Sequence, residues 1–323
     1  MNILFAFDCL SGKGIGHCFR SVGLAEWFKE IIPNVNCLFL VNGELPSEYE
    51  AELPGKLVSE SICEEKVRFC DLIVIDSYDQ GFFETFHLWC VTNLLIVHDD
   101  QIKLPAHSRY NSFILNHKFL PANIGRDLSA DNWFCGPGFF PVRKKLRDVS
   151  KWNLDNLEQR PHRIPCFFSG AFGADYLRKL VRLLDQLEND GFELELFGKG
   201  VGDSVTITQL RLGEQTRFHH SLSSSSFAIG GLGINTFERV YLGVPAIGVS
   251  LIENQIDNAA AVQKLEVGST ATADTLLSVL TEWLGELQKG SLERFKIINA
   301  RCSAIEVGSR MPECILEIAS RMK

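Results

Sequence analysis

The sequence is poor in the patterns that announce a cofactor or a membrane. Its ten cysteines form no C-x-x-C pair, and together with its eight histidines they show no zinc spacing. That argues against a zinc ribbon or a dithiol redox centre, and no metal is expected. No run approaches the ~18 apolar residues of a membrane span, and residues 1–10 lack the basic start and long apolar stretch of a secretory leader. The cytoplasm is therefore the expected location. Positive charge is also in short supply, with 32 Lys and Arg against 40 Asp and Glu and a formal net charge of -8. Phosphate-rich polymers are gripped by clustered Lys and Arg, so the balance argues against nucleic acid as a partner and against tight docking on an anionic membrane. The P-loop pattern is missing too, because no Gly-Lys-Ser/Thr stands at the required spacing.

What is present is a globular chain of 323 residues with 46% hydrophobic content, enough for a sizeable core and for about two domains. Cys9, Cys37, Cys90 and Cys166 fall inside apolar runs and read as reduced, small hydrophobes. The first motif joins a strand, Asn2 to Phe7, to a helix carrying Val22, Leu24, Trp27, Phe28 and Ile31, through the turn Ser11-Gly-Lys-Gly-Ile-Gly-His17. Gly12, Gly14 and Gly16 clear side chains where a ligand would approach closely. His17 then stands at the carboxyl end of the strand, where open α/β sheets bind ligands. Arg20 shares its helical face. The turn only loosely matches G-x-G-x-x-G, since His17 occupies the third glycine position, and a lone histidine at a helix start is often just a polar residue.

Further strands repeat this arrangement. Asp71 to Asp76 is a continuous apolar run between acids, suited to a parallel sheet covered on both faces, and Tyr78 follows its end. Leu94 to Val97 runs into His98-Asp99-Asp100, and Ser112 to Asn116 into His117. Each polar end has the plain alternative of a helix cap or a solvated turn. Residues 136–163 read as the passage between domains, with Arg143 to Arg147 as a solvated basic patch. In the second half, Ile164 to Phe168 enters Ser169-Gly-Ala-Phe-Gly173, and a helix is predicted over 175–187. Phe227 to Ile229 leads into Gly230-Gly231-Leu-Gly233-Ile-Asn235-Thr236, opening a helix over Thr236 to Leu242 that stops at Gly243. A bare backbone before a helix N-terminus is an anion site suited to pyrophosphate. Glu238 is placed to accept from ribose hydroxyls, or else caps the helix. Asn254 and Gln255, at another strand-to-helix turn, are uncharged groups able to orient a sugar or a water. Residues 272–287 and 310–322 read as helices.

The set G-x-G-H-x-x-R at 14–20, Asp76-x-Tyr78, Asp99-Asp100, Thr236-Phe-Glu238 and G-V-P…E-N-Q-x-x-N-A at 243–259, with G-P-G-F-F-P-V-R at 136–143, resembles one family over nearly the whole chain. It is similar to the UDP-2,4-diacetamido-2,4,6-trideoxy-β-L-altropyranose hydrolases of pseudaminic (nonulosonic) acid biosynthesis. The second half also resembles the nucleotide-binding domain of the lipid II-forming N-acetylglucosaminyltransferase. The resemblance implies an α/β GT-B fold, two Rossmann-like domains facing each other across a cleft. An N-terminal domain over 1–147 would carry the catalytic base and sugar site, and a C-terminal domain over 148–323 would bind UDP. His17 would be the base and Tyr78 would line the sugar site. Gly14, Gly16, Arg20 and Asp99 on one side, and Gly231, Gly233, Asn235, Thr236, Glu238, Asn254 and Gln255 on the other, would contact substrate. The expected partners are a UDP-sugar and the product UDP, without cofactor, and the chain is expected to act as a monomer. Phe237 in place of Trp, the turn at 169–172 and Asn116-His117 in place of Asn-Gln depart from the family. A GT-B glycosyltransferase with a UDP-sugar donor fits the same residues, as does a nucleotide-sugar binder without catalysis.

Overall fold

A computed structural model of the chain describes residues 1–9, 16–58, 67–89, 93–97, 111–120, 132–159, 161–168, 191–198, 208–209, 215–250 and 255–322. The chain divides into two compact units, Met1–Lys144 with Val307–Lys323, and Lys145–Glu306.

The first unit is built on a seven-stranded sheet in the order β3-β2-β1-β4-β5-β6-β7. Its strands are β1 (Asn2–Cys9), β2 (Asn36–Gly43), β3 (Lys56–Leu57), β4 (Leu72–Asp76), β5 (Asn93–Val97), β6 (Asn111–Asn116) and β7 (Trp133–Cys135). Every pairing is parallel. β1 shows why its sequence is apolar throughout, since successive side chains point to opposite faces and both faces are covered. Ile3, Phe5 and Phe7 enter one core with Phe28 and Phe39, whereas Leu4 and Ala6 enter the other with Ile73, Ile75, Phe83 and Phe86. Phe5 stacks on Phe39 at 5.2 Å and meets the edge of Phe28, from the helix Gly16–Ile31, at 6.3 Å.

The last helix, Met311–Arg321, belongs to this unit and not to a second domain running to residue 323. Its buried stripe of Met311, Cys314, Ile315 and Ile318 joins the core of Phe5 and Phe28. Helical spacing announces that a face is buried but not what covers it. Arg143 is likewise no solvated linker residue: it is 4% exposed, lies 3.3 Å from Glu52 and stands over the Phe19 ring.

The second unit repeats the topology, with β8 (His162–Phe167), β9 (Phe192–Gly198), β10 (Thr208–Gln209), β11 (Ala228–Gly231), β12 (Ala246–Val249) and β13 (Ser269–Ala271). The order is β10-β9-β8-β11-β12-β13, again wholly parallel. In both units the chain reverses its direction of travel across the sheet, between β1 and β4 and between β8 and β11. Such switch points open a crevice at the carboxyl ends of the strands. The helix after β11 spans Ile234–Leu242, starting two residues before Thr236. It ends in a Schellman motif: Gly243 is left-handed at φ 78° and the Val244 amide reaches back to the Arg239 carbonyl at 3.0 Å. The helix expected over 175–187 lies outside the described residues.

None of the eight described cysteines is in a disulfide, and seven are buried. Burial pushes the Cys18 thiol up to about 12 and Cys37 to about 11, which keeps both protonated.

Gly23 is needed where the first helix passes the segment after β7. A Cβ there would lie 2.2 Å from the Pro141 carbonyl oxygen, which is backbone. Gly23→Ala gains about 1 kcal/mol of helix propensity, but forcing that contact apart costs about 1–3 kcal/mol. A lower melting temperature is expected in thermal denaturation; an unchanged or higher one would show that the segment yields.

Candidate active site

The crevice between β1 and β4 gathers the first group of polar side chains. Asp76, the last residue of β4, is 1% exposed and binds two residues of the helix Gly16–Ile31. Arg20 Nε donates to Asp76 Oδ2 at 2.8 Å and a terminal guanidinium nitrogen donates to Oδ1 at 2.5 Å, a two-pronged contact that holds both oxygens. His17 Nδ1 lies 2.8 Å from the Asp76 carbonyl oxygen and 3.0 Å from Oδ1. Burial alone would raise the Asp76 pKa, but Arg20 and His17 together hold it well below the usual carboxylate range.

These partners fix the His17 tautomer. Both groups facing Nδ1 are acceptors, so in the neutral ring Nδ1 carries the proton and Nε2 keeps its lone pair. Nε2 is buried and has no hydrogen-bond partner among the described residues. The Tyr78 ring stands perpendicular to the imidazole, centroids 4.2 Å apart.

Tyr78 is held in turn by a residue that motif reading passed over. Asp8, near the end of β1, is 2% exposed and accepts from the Tyr78 amide at 2.6 Å, the Ser77 hydroxyl at 2.7 Å and the Asn42 amide at 2.9 Å. One carboxylate thus ties the ends of β1, β2 and β4 together. A lone acid near the end of an apolar strand was its only signal. His117, just past β6, is fully buried; burial and then the Arg20 charge push its pKa down to about 3, so it stays neutral.

The second unit has its own polar group at the end of β11. Gly233 is the N-cap of the helix Ile234–Leu242, and no side chain among the described residues caps it. That arrangement leaves the first amides of the helix to an anion. Gly230 is required for space, because a Cβ would stand 2.6 Å from both an Arg239 guanidinium nitrogen and the Phe167 carbonyl oxygen. Arg239 is 2% exposed and donates to the Gly231 carbonyl at 3.0 Å and to the Thr236 hydroxyl at 3.3 Å. Burial lowers its pKa to about 10, which leaves it charged at neutral pH. Gln255, 5% exposed, brings its amide nitrogen to 3.9 Å from where a Gly233 Cβ would be, and Asn258 donates to the Leu232 carbonyl at 2.7 Å.

Solved structures share this architecture along the chain. MurG of Acinetobacter baumannii matches with 16% identity over 98% of this chain and 100% of its own, at a TM-score of 0.62. UGT2 of Phytolacca americana, complexed with UDP-2-fluoro-glucose and pterostilbene, matches with 13% identity over 99% of each chain, at 0.63. The glycosyltransferase SsfS6 of Streptomyces sp. SF2575, complexed with thymidine diphosphate, matches with 12% identity over 98% of this chain and 99% of its own, at 0.55. No family model and no curated protein matches the sequence. The fold is GT-B. Identities this low speak for the fold alone.

Of the residues singled out from sequence, the first GT-B unit brings His17, Arg20 and Tyr78 together, with Gly16 opening their helix. Arg20, expected at the substrate, is bound to Asp76. The second unit brings together Gly231, Gly233, Asn235, Thr236, Glu238 and Gln255. Glu238 sits in the second turn of its helix and not the first, so it does not cap the N-terminus. Gly14, Asp99, Asn254 and the turn at 169–172 lie outside the described residues. Among the described residues no group of three His, Cys, Asp or Glu side chains could hold a metal ion, and no helix is long and apolar enough to cross a membrane.

Asp76→Asn removes the counter-ion of a buried arginine, which costs about 3–5 kcal/mol. Because the folded carboxyl lies below its unfolded value, its stabilisation is complete above about pH 4 and is lost as pH falls through the folded value. Melting curves between neutral and acid pH should therefore show a wild-type advantage that shrinks with acid. An advantage constant across that range would assign the loss to packing.

Proposed function

We propose that this chain cleaves a UDP-sugar at its anomeric C–O bond, with His17 as the base that activates the incoming hydroxyl. The observation that carries the reading is the pair of Asp76 acceptors facing His17 Nδ1: with that nitrogen donating to them, the ring offers the Nε2 lone pair to a proton. Asp76 orients the ring and stabilises the imidazolium as it forms, and Arg20 keeps Asp76 ionised. The hydroxyl oxygen bonds to the anomeric carbon as its proton passes to Nε2, and the bond to UDP breaks with inversion. UDP leaves with the electron pair, its charge borne by the uncapped helix N-terminus beyond Gly233 and by the nearby Arg239. Glu238 accepts from the ribose hydroxyls.

Glycosyl transfer is the first reading of the incoming hydroxyl, because proteins of the same fold, SsfS6 among them, are glycosyltransferases. Hydrolysis, with water in that place, is favoured by the motif set around His17, Asp76-x-Tyr78 and Glu253-Asn-Gln. Its substrate would be UDP-2,4-diacetamido-2,4,6-trideoxy-β-L-altropyranose or a close 2,4-diamino sugar, in the cytoplasm.

UDP release from that nucleotide sugar, with no acceptor, separates the two. Release supports hydrolysis; release only when a hydroxyl acceptor is added supports transfer; binding without release in either case would contradict both. His17→Asn should lower turnover by about 10²- to 10⁴-fold, the range for a general base, while leaving UDP affinity nearly intact. Wild-type rates in that variant would overturn the role of His17. Glu238→Ala should weaken UDP binding about tenfold, as the loss of hydrogen bonds to a charged group does.

A further inference from the structure

Glu238 is flanked at both carboxylate oxygens by side chains that take no part in the proton transfer to His17. Asn235, one helical turn earlier, donates its amide to Oε2 at 2.8 Å. His219, on the preceding helix Gln215–Ser224, places Nε2 3.5 Å from Oε1. His219 is more deeply set than the group it faces: its side chain is 1% exposed and that of Glu238 is 11%. A ligand can thus reach the carboxylate while its orientation is set from behind. The buried Nδ1 of His219 has no hydrogen-bond partner among the described residues. That suits a ring whose proton is on Nε2, facing the carboxylate, with Nδ1 left as an unprotonated acceptor.

We infer that His219 and Asn235 are positioning residues that fix the Glu238 carboxylate edge-on, so that the site selects nucleotides with a 2′,3′-diol over 2′-deoxynucleotides. The inference rests on the reading of Glu238 as the ribose acceptor. A carboxylate with its two oxygens held in one plane matches two adjacent hydroxyls, one per oxygen. A carboxylate free to turn about its torsions meets one hydroxyl as readily as two and loses that preference. A histidine on a polar helix reads as a surface residue in sequence, and nothing in its spacing connects it to Glu238, nineteen positions on.

The test is calorimetric affinity for UDP and for 2′-deoxy-UDP. The wild type should prefer UDP by about tenfold or more, the scale of one hydrogen bond to a charged group. His219→Leu should bring the ratio down to about twofold, mainly by weakening UDP, while 2′-deoxy-UDP affinity stays near the wild-type value and shows that the site is intact. His219→Gln, which returns a donor, should restore most of the ratio. A merely structural role would weaken both nucleotides alike, and a wild-type ratio in His219→Leu would overturn the inference. Should His219→Leu melt below the assay temperature, His219→Met, which keeps bulk and lacks the donor, carries the same comparison. If Glu238→Gln binds UDP as the wild type does, the ribose reading itself fails and the inference with it. A flat ratio in Glu238→Gln beside an unchanged ratio in His219→Leu would overturn the positioning role alone.

Discussion

The candidate site depends on one buried carboxylate. Asp76 ends β4 at the switch point and is shared between a guanidinium that neutralises it and an imidazole that it orients. A buried carboxylate without Arg20 would take up a proton, and the His17 ring would then lose its charged acceptor and keep the Asp76 main-chain carbonyl. The sheet supplies the geometry. Parallel pairing of β1 with β4 brings Phe7 opposite Asp76, so the carboxyl ends of the two strands lie side by side. Asp8 then locks the Ser77–Tyr78 backbone across the same seam.

The second unit solves a different problem with the same topology. Its polar group combines a helix N-terminus without a side-chain cap among the described residues and a buried arginine packed against the bare backbone of Gly230. Arg239 binds the turn through Gly231 and Thr236, so the cation that favours an anion also shapes the loop that would hold it. In the proposed reaction the base belongs to the first sheet and the group that stabilises the leaving anion to the second.

Much of this was legible in the sequence because both sheets are parallel and buried on both faces. Continuous apolar runs such as 72–76 mark strands plainly, and chemistry at their carboxyl ends follows from the architecture. His17, Tyr78 and the glycine-rich turn before Glu238 were found that way. Side-chain partnerships were not. Arg20 was visible as a residue but not as the counter-ion of Asp76, because the two are 56 positions apart and only the β1–β4 pairing joins them. Asp8, His219 and Arg239 lack motif spacing, and their contacts arise from burial, which sequence patterns do not report for single polar residues. The return of Met311–Arg321 to the first unit was hidden for a related reason, since an apolar stripe does not name its partner.

The central claim is that His17 presents an unprotonated Nε2 to the incoming hydroxyl. Nitrogen-15 NMR of histidine-labelled protein, with the His17 resonances assigned by comparison with His17→Asn, measures this directly. Above the pH at which the ring loses its charge, the account predicts a proton on Nδ1 and an unprotonated Nε2. Conversion of Asp76 to Asn keeps the main-chain carbonyl that accepts from Nδ1–H, so the tautomer should persist there. A proton found on Nε2 in the wild type would contradict the account, because His17 would then be a donor at the position where the mechanism needs a base.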